Sequence, residues 1–256
     1  MIEVGPHFWN IRGNFKIAGL LNVGTQCSLV QRGNGRFLLL DSYTLDEETA
    51  EQVDAYTDGG QAIEAVLNLH PFHTVHVASV HERYPGAALY GSRRHREKFP
   101  DLPWKEDDVT DPELHERFAE DLRFSVPHGV DFISSNERVH FSSVLAYHPA
   151  SRTVHVDDTY NYIPRRGLLG LTPLAGEVSF HPTLAKALEP RAGAAAEFRA
   201  WAEALTEEWG AAENLCAAHT GALLAAENDG PDLSEQLAAA LDKVQDTLAS
   251  HEAEHG

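Results

Sequence analysis

The chain has little cysteine, little basic charge and no long apolar run. Cys27 and Cys216 are its only cysteines. Both lie in apolar segments without a C-x-x-C partner, so they read as buried free thiols, and a cytoplasmic location is the expectation. Lys and Arg number 20 against 39 Asp and Glu, a net charge of −19. Such a chain repels phosphate backbones and anionic lipid surfaces, so neither nucleic acid nor membrane is an expected partner. The short basic run Arg93, Arg94, His95, Arg96 reads as a solvated helix face. No stretch is long and apolar enough to span a bilayer, and Met1 to Pro6 lack the basic-then-apolar order of a signal peptide. Repeats, low-complexity linkers and composition breaks are also missing. The expectation is one domain over 1–256, with 250–256 as a frayed tail and His251 and His255 solvated.

Histidine is what the chain has in quantity, 15 residues in all. Three fall in one stretch, His70, His73 and His76, directly after the apolar run Ala65 to Leu69. The run reads as a buried strand and the histidines as the loop that leaves it. Sites in layered α/β folds collect at strand ends, where a rigid sheet holds a freely shaped loop. Imidazole is the commonest side-chain metal ligand, and several on one loop can converge on one ion.

Around this loop the chain alternates between strand and helix signals. Phe8 to Arg12, Cys27 to Gln31 and Arg36 to Leu40 read as strands, the last two joined by Asn34-Gly35 and ending at Asp41. A polar helix over 45–57 stops at Gly59-Gly60, and 61–64 reads as a helical turn. Helices follow near 79–84, 92–98 and 112–122, with a short strand at 87–91 between the first two. Strands return at 122–126, 130–133, 139–147 and 153–156, the last ending at Asp157-Asp158. The final third is helical, with Phe198, Trp201, Leu205 and Trp209 on one face and Leu237, Leu241, Val244 and Leu248 on another. The apolar run 215–218 between them meets His219.

Taken together, this order resembles the metallo-β-lactamase superfamily over most of the chain. That family runs from a hairpin ending in Asp through a helix to a strand ending in His-x-His-x-Asp-His, then a later His, an Asp at a strand end and a final His. Asp41, the His70–His76 loop, His140, Asp158 and His219 follow this order. The match is incomplete. With the motif's last His on His76 and its second on His73, its Asp falls on Val75 and its first His on Pro71, one residue after His70. Asp157 stands where a Gly is usual. The stretch from Tyr84 to Pro103 is similar to a branch of the superfamily whose motif is eroded in the same way.

The resemblance implies an α/β fold, a four-layer αββα sandwich with mixed sheets. It implies a metal-dependent hydrolase acting on a small ester, lactone, amide or thioester. His70, His73, His76, His140, Asp158 and His219 are the candidate metal ligands. His and carboxylate donors suit Zn²⁺, and also Fe or Mn. In a two-metal hydrolase the ions deprotonate water and stabilise the oxyanion. Val75 can ligate nothing, so one ion per chain is expected, with Asp157 or Asp158 as the base. His73, His140 and Asp158, with or without His70, form one ligand set, which leaves His76 and His219 from the second site. Tyr160, Tyr162, Arg165 and Arg166 are candidates for the substrate side.

A rival reading keeps the fold without the catalysis, for binding or assembly. Each site residue also has an ordinary alternative: a half-buried strand residue for His140, a turn cap for Asp158, a loop residue for His219. His81, His95, His128, His155 and His181 have no motif position and read as structural or surface residues, with His128 the one that stands out. Homo-oligomerisation is left open, since Trp201 and Trp209 suit a core or an interface.

Overall fold

The computed structural model describes residues 1–17, 21–165, 175–219 and 221–256. In chain order the strands are β1 (Ile2–Gly5), β2 (Phe8–Gly13), β3 (Lys16–Ile17), β4 (Leu21–Asn22), β5 (Thr25–Gln31), β6 (Phe37–Leu40), β7 (Ile63–Leu67) and β8 (Ala88–Tyr90). They continue with β9 (Arg123–Ser125), β10 (Leu145–His148), β11 (Thr153–Val156), β12 (Tyr160–Tyr162), β13 (Val178–Phe180), β14 (Asn214–Ala217) and β15 (Ala222–Leu223). The helices are α1 (Glu47–Thr57), α2 (Val77–Arg83), α3 (Arg93–Lys98), α4 (Pro112–Arg117), α5 (Leu184–Ala187), α6 (Ala194–Glu208), α7 (Leu233–Lys243) and α8 (Gln245–His255).

One sheet has the order β1-β2-β5-β6-β7-β8, the other β15-β14-β11-β10-β9. Both are mixed: β6, β7 and β8 run parallel, as do β11 and β14, and the other pairs are antiparallel. Alternation along the strands sorts the apolar residues into three layers. Cys27, Leu29 and Leu39 pack with Val53 of α1 and Val80 of α2 on the outside of the first sheet. Val30, Leu38, Leu40 and Leu67 turn the other way and meet Val144, Ala146 and Cys216 between the sheets. Val154, Val156 and Leu215 face α6, α7 and α8 on the far side, where Trp201 and Trp209 are buried. Three apolar layers separate four layers of structure, which is the αββα sandwich the sequence led us to expect.

Polar groups also cross between the sheets. Gln26 Nε2 donates to the carbonyls of Val156 and Cys216, both at 2.9 Å. The Arg12 guanidinium donates to the carbonyls of Ala217 and Ala218. These tie β2 and β5 to the ends of β11 and β14, where the site lies.

Several expectations need correction. The turn expected over 61–64 lies earlier, at 58–62, and residues 63 and 64 already belong to β7. His140 opens no strand: 139–144 is irregular, and β10 begins only at Leu145. Residues 130–133 form no strand either, only a bridge from Val130 to Leu188. The last apolar stripe belongs to two helices that meet at Val244. The tail expected to fray is helical. It is the end of α8, and His251 is buried with Nε2 hydrogen-bonded to the Glu189 carbonyl at 2.9 Å. Both cysteines are buried free thiols, as expected. Among the described residues no helix is long and apolar enough to cross a membrane.

The basic run also departs from its reading. Its His95 is fully buried, where it closes a capping box with Ser92 at the start of α3. Burial pushes His95 down from 6.5 to about 4. Between those values the unfolded chain binds a proton that the folded chain refuses. The contribution to stability is therefore present above about 6.5 and is lost as pH falls toward about 4, up to about 3 kcal/mol. In a series of melts from pH 7 to pH 4, a His95→Gln variant should lose stability on acidification with a shallower slope than the parent. Parallel slopes would exclude His95 as the titrating group.

Candidate metal centre

The ends of β6, β7, β11 and β14 meet at one edge of the sandwich, and each delivers a polar side chain there. The chain beyond β7 is fixed first. Asn68 donates from both its backbone N–H and its Nδ2 to the Tyr90 carbonyl, and its Oδ1 accepts from Ser42 Oγ at 2.7 Å. The Leu69 N–H donates to Asp41 Oδ1 at 2.8 Å, and the Leu69 carbonyl accepts from Val144 N–H. A tight turn follows, in which the His73 N–H donates to the His70 carbonyl at 3.1 Å. His70 and His73 are thereby stacked, with ring centres 4.1 Å apart.

Asp158 is the centre of the arrangement. It is buried, yet four imidazoles face its carboxylate. His70 Nε2, His73 Nε2 and His140 Nδ1 lie 3.3, 3.5 and 3.9 Å from Oδ2, and His219 Nε2 lies 3.2 Å from Oδ1. Asp157 sits alongside with Oδ2 at 3.4 Å from His73 Nδ1. The ligand atoms of His70, His73 and Asp158 all lie within 4.8 Å of one another. Five atoms here, His70 Nε2, His73 Nε2, both Asp157 oxygens and Asp158 Oδ1, are buried without a hydrogen bond among the described residues. Buried polar atoms are normally satisfied, and a cluster of orphans marks a place for an ion or ordered water.

The second ring nitrogens differ in what they touch. His219 Nδ1 is 2.7 Å from the Gly24 carbonyl, and His140 Nε2 is 2.8 Å from the Glu137 carbonyl. A carbonyl only accepts, so each of these nitrogens carries the proton and the lone pair of the other faces Asp158. His70 is the reverse. Its Nδ1 accepts the Phe72 N–H at 3.1 Å, so neutral His70 has its proton on Nε2, toward Asp158. Outside the buried group, Phe72 stacks on His140 at 4.7 Å, and the Arg94 guanidinium lies over Phe72 at 4.4 Å.

The electrostatics follow from this crowding. Burial, then the neighbouring His73, holds His70 well below the ordinary histidine range. Burial also works against charge on His73, but Asp157 and Asp158 outweigh it and raise His73 well above that range. Burial alone would raise the carboxyls; His70, His73 and His219 instead hold Asp158 well below the usual carboxylate range, and His73 and His155 do the same for Asp157.

Of the six candidate ligands, His70, His73, His140, Asp158 and His219 come together. His76 does not. It stands at the N-terminus of α2, bonded through Nδ1 to Thr44 Oγ1 at 2.8 Å and edge-on to Tyr43. Val75 is 69% exposed, so the motif position that lost its carboxylate points to solvent. Tyr160 is buried against Phe180 in the core rather than lining a cleft. Tyr162 and Arg165 line a cavity of about 400 Å³ with Asn228 and Asp229, and Arg166 lies outside the described residues.

Beneath Asp157 is a second group that the motif reading overlooked. His155 Nε2 is 2.8 Å from Asp41 Oδ2, and its Nδ1 is 2.9 Å from Ser28 Oγ. All three residues are buried. Burial, then Asp157, pushes the Asp41 carboxyl up to about 6, against the pull of His155. The signal was present in the strand pattern. Val154 and Val156 face the helices, so His155 must point between the sheets, where a polar group needs a partner.

No family model and no curated protein matches the chain, and its likeness to known proteins is one of structure. Three solved metallo-β-lactamases superpose on nearly the whole chain. One from Erythrobacter litoralis, with β-mercaptoethanol in its active site, is 14% identical with a TM-score of 0.59, covering 93% of each chain. One from Hirschia baltica is 13% identical with a TM-score of 0.57, covering 94% of this chain and 96% of its own. FIM-1 from Pseudomonas aeruginosa, in its mono-zinc form, is 14% identical with a TM-score of 0.56, covering 95% of this chain and 94% of its own. The chain has the metallo-β-lactamase fold, as the order of its strands, helices and histidines implied.

Asp41 should be the costliest residue of the edge to lose. Replacing it by Ala strands the Leu69 N–H and removes the buried partner of His155. With chelator present, Asp41→Ala should lower the unfolding free energy in urea by about 3 kcal/mol. A loss under about 1 kcal/mol, within the range of an ordinary surface change, would show that Asp41 does not hold the loop.

Proposed function

We propose that the chain is a divergent metallo-β-lactamase-superfamily hydrolase that acts on a small ester, lactone, amide or thioester with the help of a bound transition-metal ion. The observation that carries this reading is the group of orphaned buried atoms around Asp158, contributed by residues of opposite charge preference. Three imidazoles and a carboxylate suit zinc, with iron or manganese as alternatives.

His73, His140, His219 and Asp158 are the proposed ligands. Metal-bound histidines as a rule have a carbonyl or carboxylate on the second ring nitrogen. Gly24 supplies it to His219, Glu137 to His140 and Asp157 to His73. His70 has an amide donor there instead, so its protonated Nε2 points toward Asp158 Oδ2, 3.3 Å away, and it is left out of the ligand set. Such an ion supplies Lewis acidity toward a water and a carbonyl oxygen. Asp158 Oδ1, which makes no hydrogen bond among the described residues, would be the oxygen to receive a proton from that water. The acidity of the chain and its two buried thiols support a small-molecule substrate and a reducing compartment.

The exposed Val75 favours the rival, a fold kept for binding or assembly, because it leaves the site without the family's motif carboxylate. Metal content and turnover separate the two. His73→Ala should lose one equivalent of zinc after dialysis. It should also lose the chelator-sensitive part of its melting temperature, which for an ion at 1,000 times its Kd corresponds to about 4 kcal/mol. His70→Gln, which keeps a donor, should retain the ion, and His255→Ala should match the parent. Zinc-loaded parent protein should turn over at least one member of an ester, lactone and thioester panel, more slowly as pH falls and protons displace the metal. Bound zinc without turnover supports the rival, and a His73→Ala protein that binds like the parent defeats the site.

A further inference from the structure

We propose that Asp41, His155 and Asp157 form a second, inner cation position for a divalent transition ion such as Zn²⁺ or Mn²⁺. The three residues come from the ends of β6 and β11 and offer one ligand atom each, all within 4.8 Å of one another. One imidazole and two carboxylates are a donor set that such ions accept. This group is separate from the one around Asp158, and neither depends on the other for its ligands. Their common contact is Asp157 Oδ2 on His73 Nδ1.

Asp157 is the decisive residue. It is 1% exposed, and neither carboxylate oxygen has a hydrogen bond among the described residues. Its ion pair with His73 at 3.4 Å leaves lone pairs of both oxygens without a hydrogen bond among the described residues. An ion between Asp157 and Asp41 would satisfy both carboxylates at once.

The surrounding groups are those a metal ligand needs. The Leu69 N–H holds Asp41 Oδ1 and leaves Oδ2 directed at His155. Ser28 Oγ receives His155 Nδ1, and Ser28 is itself held by Asn10 Nδ2 at 3.0 Å. With the proton on Nδ1, donated to Ser28, the Nε2 lone pair is free for the ion. The proton now shared between His155 Nε2 and Asp41 Oδ2 is released when the ion enters. Asp41 also borders a cavity of about 260 Å³, shared with Cys27, Tyr43, Thr44, Ser79 and Glu82. In the metallo-β-lactamase motif the Asp and the last His would serve a second ion; here those positions are Val75 and His76, and neither is available. The inner group lifts the expected content from one ion per chain to two.

The test is metal stoichiometry on the full chain, stripped with chelator, dialysed against zinc or manganese and measured by elemental analysis. The parent should retain two equivalents. His155→Gln and Asp157→Asn should each retain one, compared where far-UV circular dichroism matches the parent. His73→Ala should retain one, and His73→Ala combined with His155→Gln none. A parent that binds one ion, lost in His73→Ala and kept in His155→Gln, overturns the inner position and leaves the Asp158 site intact. One ion lost in His155→Gln and kept in His73→Ala does the opposite. Should the inner variants fail to fold, a parent content of one equivalent or less is enough to overturn the proposal.

Discussion

The carboxylate of Asp41 is the point at which the two sheets and the histidine loop are joined. One oxygen accepts the first amide of the loop, and the other reaches across the sandwich to His155. A strand of the first sheet, a strand of the second and the loop between β7 and α2 are thus referred to one residue. Its backbone is in the left-handed region, at φ 61°, which a residue other than glycine adopts at a cost. The conformation lets the chain turn off β6 while the side chain points back into the interior. Whatever happens at Asp158 depends on this anchor, since His70 and His73 are only four residues or fewer past the amide it holds.

Most of the architecture could be read from the sequence because a sandwich of this kind writes its layers into alternation. Cys27, Leu29 and Leu39 against Val30, Leu38 and Leu40 separate the outer face of a sheet from its inner face without further information. The stretch around His140 could not be read that way. Its apolar residues, Val139, Phe141 and Val144, are buried as in a strand, but they pack from an irregular path held by hydrogen bonds such as Ser143 N–H to Thr159 Oγ1. Periodicity reports burial, and backbone pairing has to be seen. The tail misled for a related reason. Its polar sequence looks solvated, and the packing of Leu248 with the final layer, together with one hydrogen bond from His251, is enough to fold it down.

The site was legible at its centre and obscured at its edges. Asp158, His73, His140 and His219 stand out because each follows or ends an apolar run, and all four meet. Motif spacing gave the wrong partner for them, since it favours His76. Pro71 and the tight turn back to the His70 carbonyl bring His70 inward, and Val75 and His76 are carried past the site toward α2. Ser28 and His155 were hidden for a different reason. Each lies inside a strand between apolar neighbours, and only the pairing of the two sheets reveals that these two polar residues face each other.

This displacement changes what the eroded motif means. Read as a string, the segment has lost half of a binding motif. In three dimensions it keeps His73 at Asp158, brings His70 there as well, and carries Val75 and His76 past the site toward α2. The remaining ligands crowd on buried carboxylates, where four imidazoles, two of them with tautomers fixed by backbone carbonyls, face one aspartate. Such a concentration of buried polar atoms costs free energy unless something satisfies them. A fold kept only as a scaffold could relieve that cost with apolar replacements of similar size, as buried ion pairs elsewhere tolerate. His70 Nε2, His73 Nε2, both Asp157 oxygens and Asp158 Oδ1, buried without a hydrogen bond among the described residues at the meeting of four strand ends, are what make this edge a candidate metal centre rather than a relic of the fold.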